Sequence, residues 1–225
     1  MKVYKTAALT ATWRCMGKVE KESIKKVGFS TKIIAYVLGF LDPASIQTIS
    51  HRTLLIDHLI KKTNPETIVE IGAGFSTRPD RFPKIEFYQL DLPYFQSKNK
   101  NIIQFDIKND SLKLTIKNAL FIVEGVTMYL HKDEVMRLLK EIKKYKGTLL
   151  IDFFNKGQSN KNKSIREKIY KIIFKIFIWK KHLFEFRIEN IDSGKKLLEK
   201  FGYRKIKLHP YELEKTLDCL FYAEF

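Results

Sequence analysis

Four acids and one glycine turn carry the chemistry that this sequence could perform. Glu70 lies near the end of the apolar run Thr67-Ile68-Val69-Glu70-Ile71, which passes directly into Gly72-Ala73-Gly74. Asp91 follows Ile85-Glu86-Phe87-Tyr88-Gln89-Leu90, Asp106 follows Asn101-Ile102-Ile103-Gln104-Phe105, and Glu124 follows Ala119-Leu120-Phe121-Ile122-Val123. Short runs rich in β-branched and aromatic residues predict strands. A Gly-Ala-Gly turn after a first strand bends the chain sharply and leaves room for a ligand against the backbone. In α/β units such turns are where nucleotide-like ligands dock. The dinucleotide fingerprint would place a third small residue at position 77, where Thr77 stands, which favours a ligand without a pyrophosphate. Asp91 comes about 20 residues after the first glycine, the spacing at which an acid accepts hydrogen bonds from ribose hydroxyls. Its alternative role is a turn aspartate ahead of Pro93. Acids delivered to one sheet edge are costly together unless a cationic or hydroxyl-rich ligand lies between them.

The elements that must position these residues alternate between strand and helix. Residues 1–40 predict helices, with Ala7, Ala8, Leu9, Ala11 and Trp13 before Gly17 and Ile33 to Leu38 before the breaker at Gly39 to Pro43. Arg14 inside the first helix is either packed or an anion contact. A longer helix follows over Ser45 to Lys62, carrying Arg52 and Asp57, which by themselves predict a surface ion pair of little energetic weight. The proline-rich Arg78-Pro79-Asp80-Arg81-Phe82-Pro83 allows only a short helix or turn. The continuous apolar run 119–123 predicts a strand buried on both faces, and an amphipathic helix over 131–145 presents Val135, Leu138, Leu139 and Ile142 on one side. A fifth strand is expected over 148–154, a helix over 193–201, and closing strands over 203–208 and 217–224. The predicted fold class is therefore α/β, a doubly wound, mostly parallel sheet with an antiparallel edge.

Length and composition narrow the class. A chain of 225 residues with 44% hydrophobic and 13% aromatic residues predicts one domain with ample core, and excludes a disordered chain. Within it, 1–44 is expected to form an N-terminal helical cap and 155–190 an inserted lid. Two cysteines without metal-ligand spacing argue against a disulfide framework or a zinc site, and predict no metal. No apolar run reaches the length of a membrane span and no long apolar leader opens the chain, so a cytoplasmic setting is expected. The net charge of +17 favours contact with anionic polymers or lipid surfaces. Without a recognised nucleic-acid motif it is read first as a solvated lysine surface. The basic amphipathic pattern over 164–181 fits either a lid helix or a weak membrane-surface contact.

With the acids placed, the chain resembles the class I S-adenosylmethionine-dependent methyltransferases. More narrowly, it is similar to the leucine carboxyl methyltransferase family, which includes the tetracenomycin-type polyketide O-methyltransferases. Four segments carry the likeness: Ser50-His51-Arg52-Thr53-Leu54-Leu55-Ile56-Asp57, Val69 to Phe82, Phe87-Tyr88-Gln89-Leu90-Asp91-Leu92-Pro93, and Val123-Glu124-Gly125-Val126-Thr127-Met128-Tyr129-Leu130. The resemblance implies a Rossmann-like seven-stranded sheet and the cofactor S-adenosyl-L-methionine, released as S-adenosyl-L-homocysteine. It implies that Arg52 pairs with the methionyl carboxylate and that Glu70, Gly72, Ala73 and Gly74 form the loop against the cofactor. Asp91 with Leu92 would hold the ribose, Asp106 with Ile107 would flank the adenine, and Glu124 would face the methionyl amine. Ser76 departs from the family, which commonly has Asp there, and the chain is shorter than most members.

The expected reaction is O-methylation of a carboxylate or hydroxyl, on a small molecule or a protein C-terminus. Methyl transfer from a sulfonium is an in-line displacement, so alignment and desolvation are the protein's main tasks. A carboxylate acceptor needs no general base. A hydroxyl acceptor would benefit from one, for which His51, His131 and His182 are available by composition only, and no catalytic residue is assigned. Two other functions compete: a cofactor-binding interaction module without catalysis, and a nucleic-acid methyltransferase suggested by the charge. The latter lacks the Asn/Asp-Pro-Pro-aromatic motif after the fourth strand, where Glu124-Gly125 stands.

Overall fold

The computed structural model describes residues 3–96, 102–116, 118–155, 185–209 and 218–225. It divides into two compact units. One takes Met1–Lys62, Gly74–Arg81 and Ser159–His182; the other takes Thr63–Ala73, Phe82–Gln158 and Leu183–Phe225. The first is helical among its described residues and the second is built on a sheet.

The sheet has the order β3-β2-β1-β4-β5-β7-β6. Its strands are β1 (Thr67–Ile71), β2 (Glu86–Asp91), β3 (Ile102–Gln104), β4 (Asn118–Val123), β5 (Lys146–Phe154), β6 (Arg204–His209) and β7 (Asp218–Glu224). β1 pairs in parallel with both β2 and β4, and the outer pairs β2–β3 and β4–β5 are parallel too. β7 runs antiparallel between β5 and β6. The chain thus starts in the middle, works outward to β3, and resumes on the other side at β4. Such a reversal creates a crevice at the carboxyl ends of the two central strands. The expected doubly wound sheet with an antiparallel edge is the observed one.

Continuous apolar runs became central strands because both faces are covered. Ala119, Leu120, Phe121, Ile122 and Val123 are all buried. One face packs against α6 (Lys132–Ile142), whose Val135, Leu138, Leu139 and Ile142 join Val69, Ile71, Phe121 and Leu149 in one cluster. Leu198 of α7 (Ile191–Lys200) belongs to the same cluster. The Tyr203 hydroxyl donates to Leu139 O at 2.9 Å, and burial pushes this phenol far above its ordinary range. The exposed edge strand β6 carries Arg204, Lys205 and Lys207 and a bulge between 204 and 207, devices that discourage edge-to-edge pairing. β3 is shorter than the expected 101–105, because after Gln104 the chain peels into the Asp106 turn.

In the helical unit, α1 (Val3–Met16) packs on α2 (Phe29–Leu41), with Trp13 Nε1 donating to Ala35 O at 2.9 Å. A 3₁₀ turn, Lys21–Lys26, links them and was not expected; the buried Ser23 hydroxyl pins it to Ala11 O and Glu20 O. α3 (Pro43–Thr63) and the four-residue α4 (Arg78–Arg81) complete it, while the short α5 (Pro93–Gln96) belongs to the sheet unit. The lid expected over 155–190 and the basic helix over 164–181 fall largely or wholly outside the described residues. At the end of that span Phe186 and Ile188 are buried in the sheet-unit core, Phe186 against Phe153.

Candidate functional site

Strand register decides which residues share the crevice. Ile71 is aligned with Leu90 on one side and Val123 on the other, Leu90 with Ile103, and Val123 with Ile151. One step further along the chains, the next row reads Asp152, Glu124, Gly72, Asp91, Gln104 across five neighbouring strands. Adjacent strands lie about 4.8 Å apart, so Asp91 and Glu124 flank Gly72 with roughly 10 Å between their backbones. Three acids and one glycine therefore occupy one edge row. Asp91, Glu124 and Asp152 are all nearly buried.

Gly72 has φ +74°, and a Cβ there would sit 2.2 Å from Val126 Cγ2. A side chain is thus excluded first by the protein's own turn after β4, and the same close packing brings the backbone of that turn to the crevice. Gly72 and Ala73 N–H both point to Leu90 O, at 2.8 and 3.3 Å, tying the glycine turn to the end of β2. Glu70 sits one row inward, buried, and accepts from the Gln89 amide at 2.8 Å across the β1–β2 pair. Its carboxylate thereby fixes the two strands that present Gly72 and Asp91.

Asp91 Oδ1 accepts from Leu92 N at 2.7 Å, which fixes the carboxylate at the end of β2. Asp152 was not singled out in the sequence. Its two carboxylate oxygens accept from Gly125 N at 2.8 and 3.0 Å, and its carbonyl accepts from the Thr127 hydroxyl at 2.8 Å. It shapes the turn that follows Glu124. The signal that could have found it is the one used for the other acids, an Asp at the far end of a buried strand, but the apolar run continues through Phe153 and Phe154 and hides it.

Asp106 and Ile107 lie beyond β3, away from the central row. The Asp106 carboxylate folds its own loop, accepting from Lys108 N at 2.9 Å and Asn109 Nδ2 at 2.7 Å, while its N–H donates to Asp110 Oδ2 at 2.7 Å. A cavity of about 480 Å³ opens beside this loop, lined by Leu90, Phe105, Leu112 and Leu114 with the polar Asn109 and Ser111 among them. Residues of α6 and the turn after it hold the backbone of this loop and of the cavity's lining. Arg137 donates to Ile107 O, Glu141 accepts from Leu112 N at 3.0 Å, and the Tyr145 hydroxyl accepts from Leu114 N at 3.0 Å and donates to Leu112 O at 2.8 Å. The hydrogen bond from Lys144, working against partial burial and helped by the Leu112 N–H, holds the Glu141 carboxyl below its ordinary range. Burial raises Glu134 less than the His131 N–H and Lys108 lower it, so it too stays ionised into acid.

The helical unit holds Arg52 and Gly74. Arg52 is buried on α3, and so is Asp57, so they are not the surface pair expected from composition. The inward face of α3 carries them with Ile56, Leu59 and Ile60, where Asp57 meets other arginines. Asp57 accepts from Arg78 Nε at 3.1 Å and from Arg81, Arg81 reaches Glu20 at 2.5 Å, and Glu20 accepts from Arg14 at 3.2 Å. Arg14 is thus part of a buried ion ladder. Ser76, at the position that departs from the resembled family, accepts from Arg78 N at 3.3 Å and starts α4. Among the histidines, His131 caps α6 and lies 3.2 Å from Glu185, His51 lies on α3, and His182 is outside the described residues. Nothing in the described residues places a nucleophile–histidine pair at the edge row, and no cluster of metal-ligating side chains occurs among them.

No model of a known protein family and no curated protein sequence matches this chain. Solved structures do match its fold. A protein of Bordetella parapertussis aligns with 99% of this chain and 95% of its own at TM-score 0.60 and 9% identity. A candidate methyltransferase of Thermobifida fusca aligns over 97% and 93% at TM-score 0.58 and 11% identity. Human N-acetylserotonin methyltransferase, solved with SAM, aligns over 83% of this chain and 55% of its own at TM-score 0.52 and 13% identity. The chain spans about three fifths of the length of some O-methyltransferases it matches, 60% and 62% for those of Nostoc punctiforme and Burkholderia thailandensis. At these identities the likeness shows the fold, a Rossmann-like α/β arrangement around a seven-stranded sheet.

Proposed function

We propose that this protein is an S-adenosylmethionine-dependent O-methyltransferase, with the acceptor a carboxylate or hydroxyl of a small molecule or a protein C-terminus. The observation that carries the proposal is the edge row in which Gly72 lies between Asp91 and Glu124. A nucleoside bearing an amino acid is cationic at sulfonium and ammonium and rich in hydroxyl donors, which is the complement those two acids need. The residues present fit such a cofactor on two further counts. A carboxylate at the end of β2, where Asp91 stands, is the group type that accepts from a vicinal diol, and the cavity beside Asp106 joins apolar walls to polar side chains, as a flat heteroaromatic base requires.

In this proposal Asp91 and Leu92 hold the ribose, Asp106 and Ile107 border the base, and Glu124 meets the amine. Glu70 and Ala73 shape the strand end and turn around Gly72. The resemblance would give Arg52 the cofactor's carboxylate, a task that suits a guanidinium fork, and Gly74 a place in the turn. The cofactor supplies an electrophilic methyl group. The chain's part is to hold the acceptor oxygen in line and exclude water, which asks for no covalent intermediate. The narrower likeness to the leucine carboxyl methyltransferase family, through Glu124-Gly125-Val126-Thr127-Met128-Tyr129-Leu130, supports a carboxylate acceptor.

Transfer of labelled methyl from S-adenosylmethionine into size-fractionated cell extract tests this. Label that is released by mild base marks a carboxylate ester, and base-stable label marks an ether. If no fraction is labelled while the protein binds the cofactor, the catalytic assignment fails and a binding module replaces it.

A further inference from the structure

The turn after β4 is tied to the strands on both sides of it. On the β5 side, both Asp152 carboxylate oxygens accept from Gly125 N, at 2.8 and 3.0 Å, and the Asp152 carbonyl accepts from the Thr127 hydroxyl at 2.8 Å. Asp152 and Thr127 are both buried, where a hydrogen bond is stronger than in water. On the β1 side, Val126 Cγ2 occupies the space that a Cβ on Gly72 would need. Between those two ties the backbone is left-handed at Gly125, φ +66°, and then winds into the 3₁₀ turn Thr127–Tyr129.

The Gly125 N–H belongs to the peptide that joins it to Glu124. Because a peptide is planar, holding that N–H sets the plane and with it the last backbone angle of Glu124. The register puts Asp152 beside Glu124 in the edge row, so the hold is applied from the neighbouring strand. Asp91 is secured elsewhere, by Leu92 N at the end of β2, and β1 and β4 lie between β2 and β5. The two ends of the row are therefore set by separate hydrogen bonds on separate strands.

We infer that Asp152, assisted by Thr127, is a positioning residue for the amino-acid end of the cofactor. It sets the Glu124–Gly125 peptide, and through it the place from which Glu124 meets the amine. The inference rests on the role proposed above for Glu124 and adds to it a residue that acts through the backbone.

Calorimetric titration of the full chain tests it, with S-adenosylhomocysteine and with the analogue of that molecule lacking only the α-amine. Asp152→Ala weakens S-adenosylhomocysteine about tenfold and leaves the deaminated analogue within about twofold of the wild type. In a Glu124→Gln background Asp152→Ala adds no further loss, because the contact through which it acts is already gone. Thr127→Val leaves the Asp152 carboxylate in place and shows the same selectivity in smaller measure, which keeps the test open if Asp152→Ala does not fold. Equal losses for the two ligands, or none for either, overturn the inference while the cofactor reading stands. A wild type that binds the two ligands equally well removes the role of Glu124 and the inference with it, and one that binds neither removes the cofactor reading as well.

Discussion

The sheet unit and the helical unit both bury acids, and they use them differently. In the sheet unit four acids at or near the carboxyl edge accept from a backbone or amide N–H: Asp91 from Leu92, Asp152 from Gly125, Asp106 from Lys108, and Glu70 from the Gln89 amide. In the helical unit the acids answer guanidiniums, Arg14–Glu20–Arg81–Asp57–Arg78 in one ladder. A carboxylate held by N–H bonds at the strand ends is fixed where ligands of such sheets dock. A carboxylate shared between two arginines is a brace, because each charge is compensated by its neighbours and not by a ligand. The contrast explains why the edge row is the place to look for a ligand and the ladder is not.

The largest expected effect falls on the brace. Asp57→Ala takes the carboxylate from Arg78, which is fully buried, and from Arg81, at a cost of about 3–5 kcal/mol by urea unfolding. A loss below about 1 kcal/mol would mean that the ladder does not bear on the fold. Next is Gly72→Ala. Overpacking against Val126 costs about 1–3 kcal/mol and the left-handed backbone adds roughly 1–2 kcal/mol. Combining it with Val126→Ala relieves the packing part alone, so the double variant recovers some stability and not all. Full recovery would show that the backbone conformation carries no strain.

Asp152→Ala deprives the Gly125 N–H of its acceptor and costs about 1–3 kcal/mol. If the 124–127 turn also supports the edge row, cofactor affinity falls with it. The smallest effect is the pH dependence of Glu141. Its carboxyl is depressed in the folded state, so it contributes stability in full above the ordinary carboxylate range. That contribution fades as pH falls through the range and below it. The stability gap between wild type and Glu141→Gln is therefore widest near neutrality and closes in acid; a gap that widens on acidification contradicts the assignment.

Much of the sheet was legible because a central parallel strand must be apolar on both faces. The runs at 67–71 and 119–123 have no other use, and their ends carry the turns that matter. The acids at 91, 106 and 124 were legible for the same reason, as polar residues immediately beyond apolar runs. Asp152 was hidden because β5 continues past it to pair with β7, so its run does not end at the acid. The ladder was illegible because its members come from positions 14, 20, 57, 78 and 81, and periodicity relates residues within one element only. Arg52 and Asp57 looked like a surface pair for that reason: a helix face charged at two positions is ordinarily solvated, and only its neighbours reveal that it is buried.

The central claim is that the row Asp152–Glu124–Gly72–Asp91–Gln104 forms the cofactor site. Calorimetric titration with S-adenosylmethionine tests it most directly. The wild type should bind one equivalent, and Asp91→Ala should fold as the wild type does yet bind about 1–3 kcal/mol more weakly, through the lost ribose hydrogen bonds. No heat with folded wild type, or an unchanged affinity in Asp91→Ala, would contradict the account.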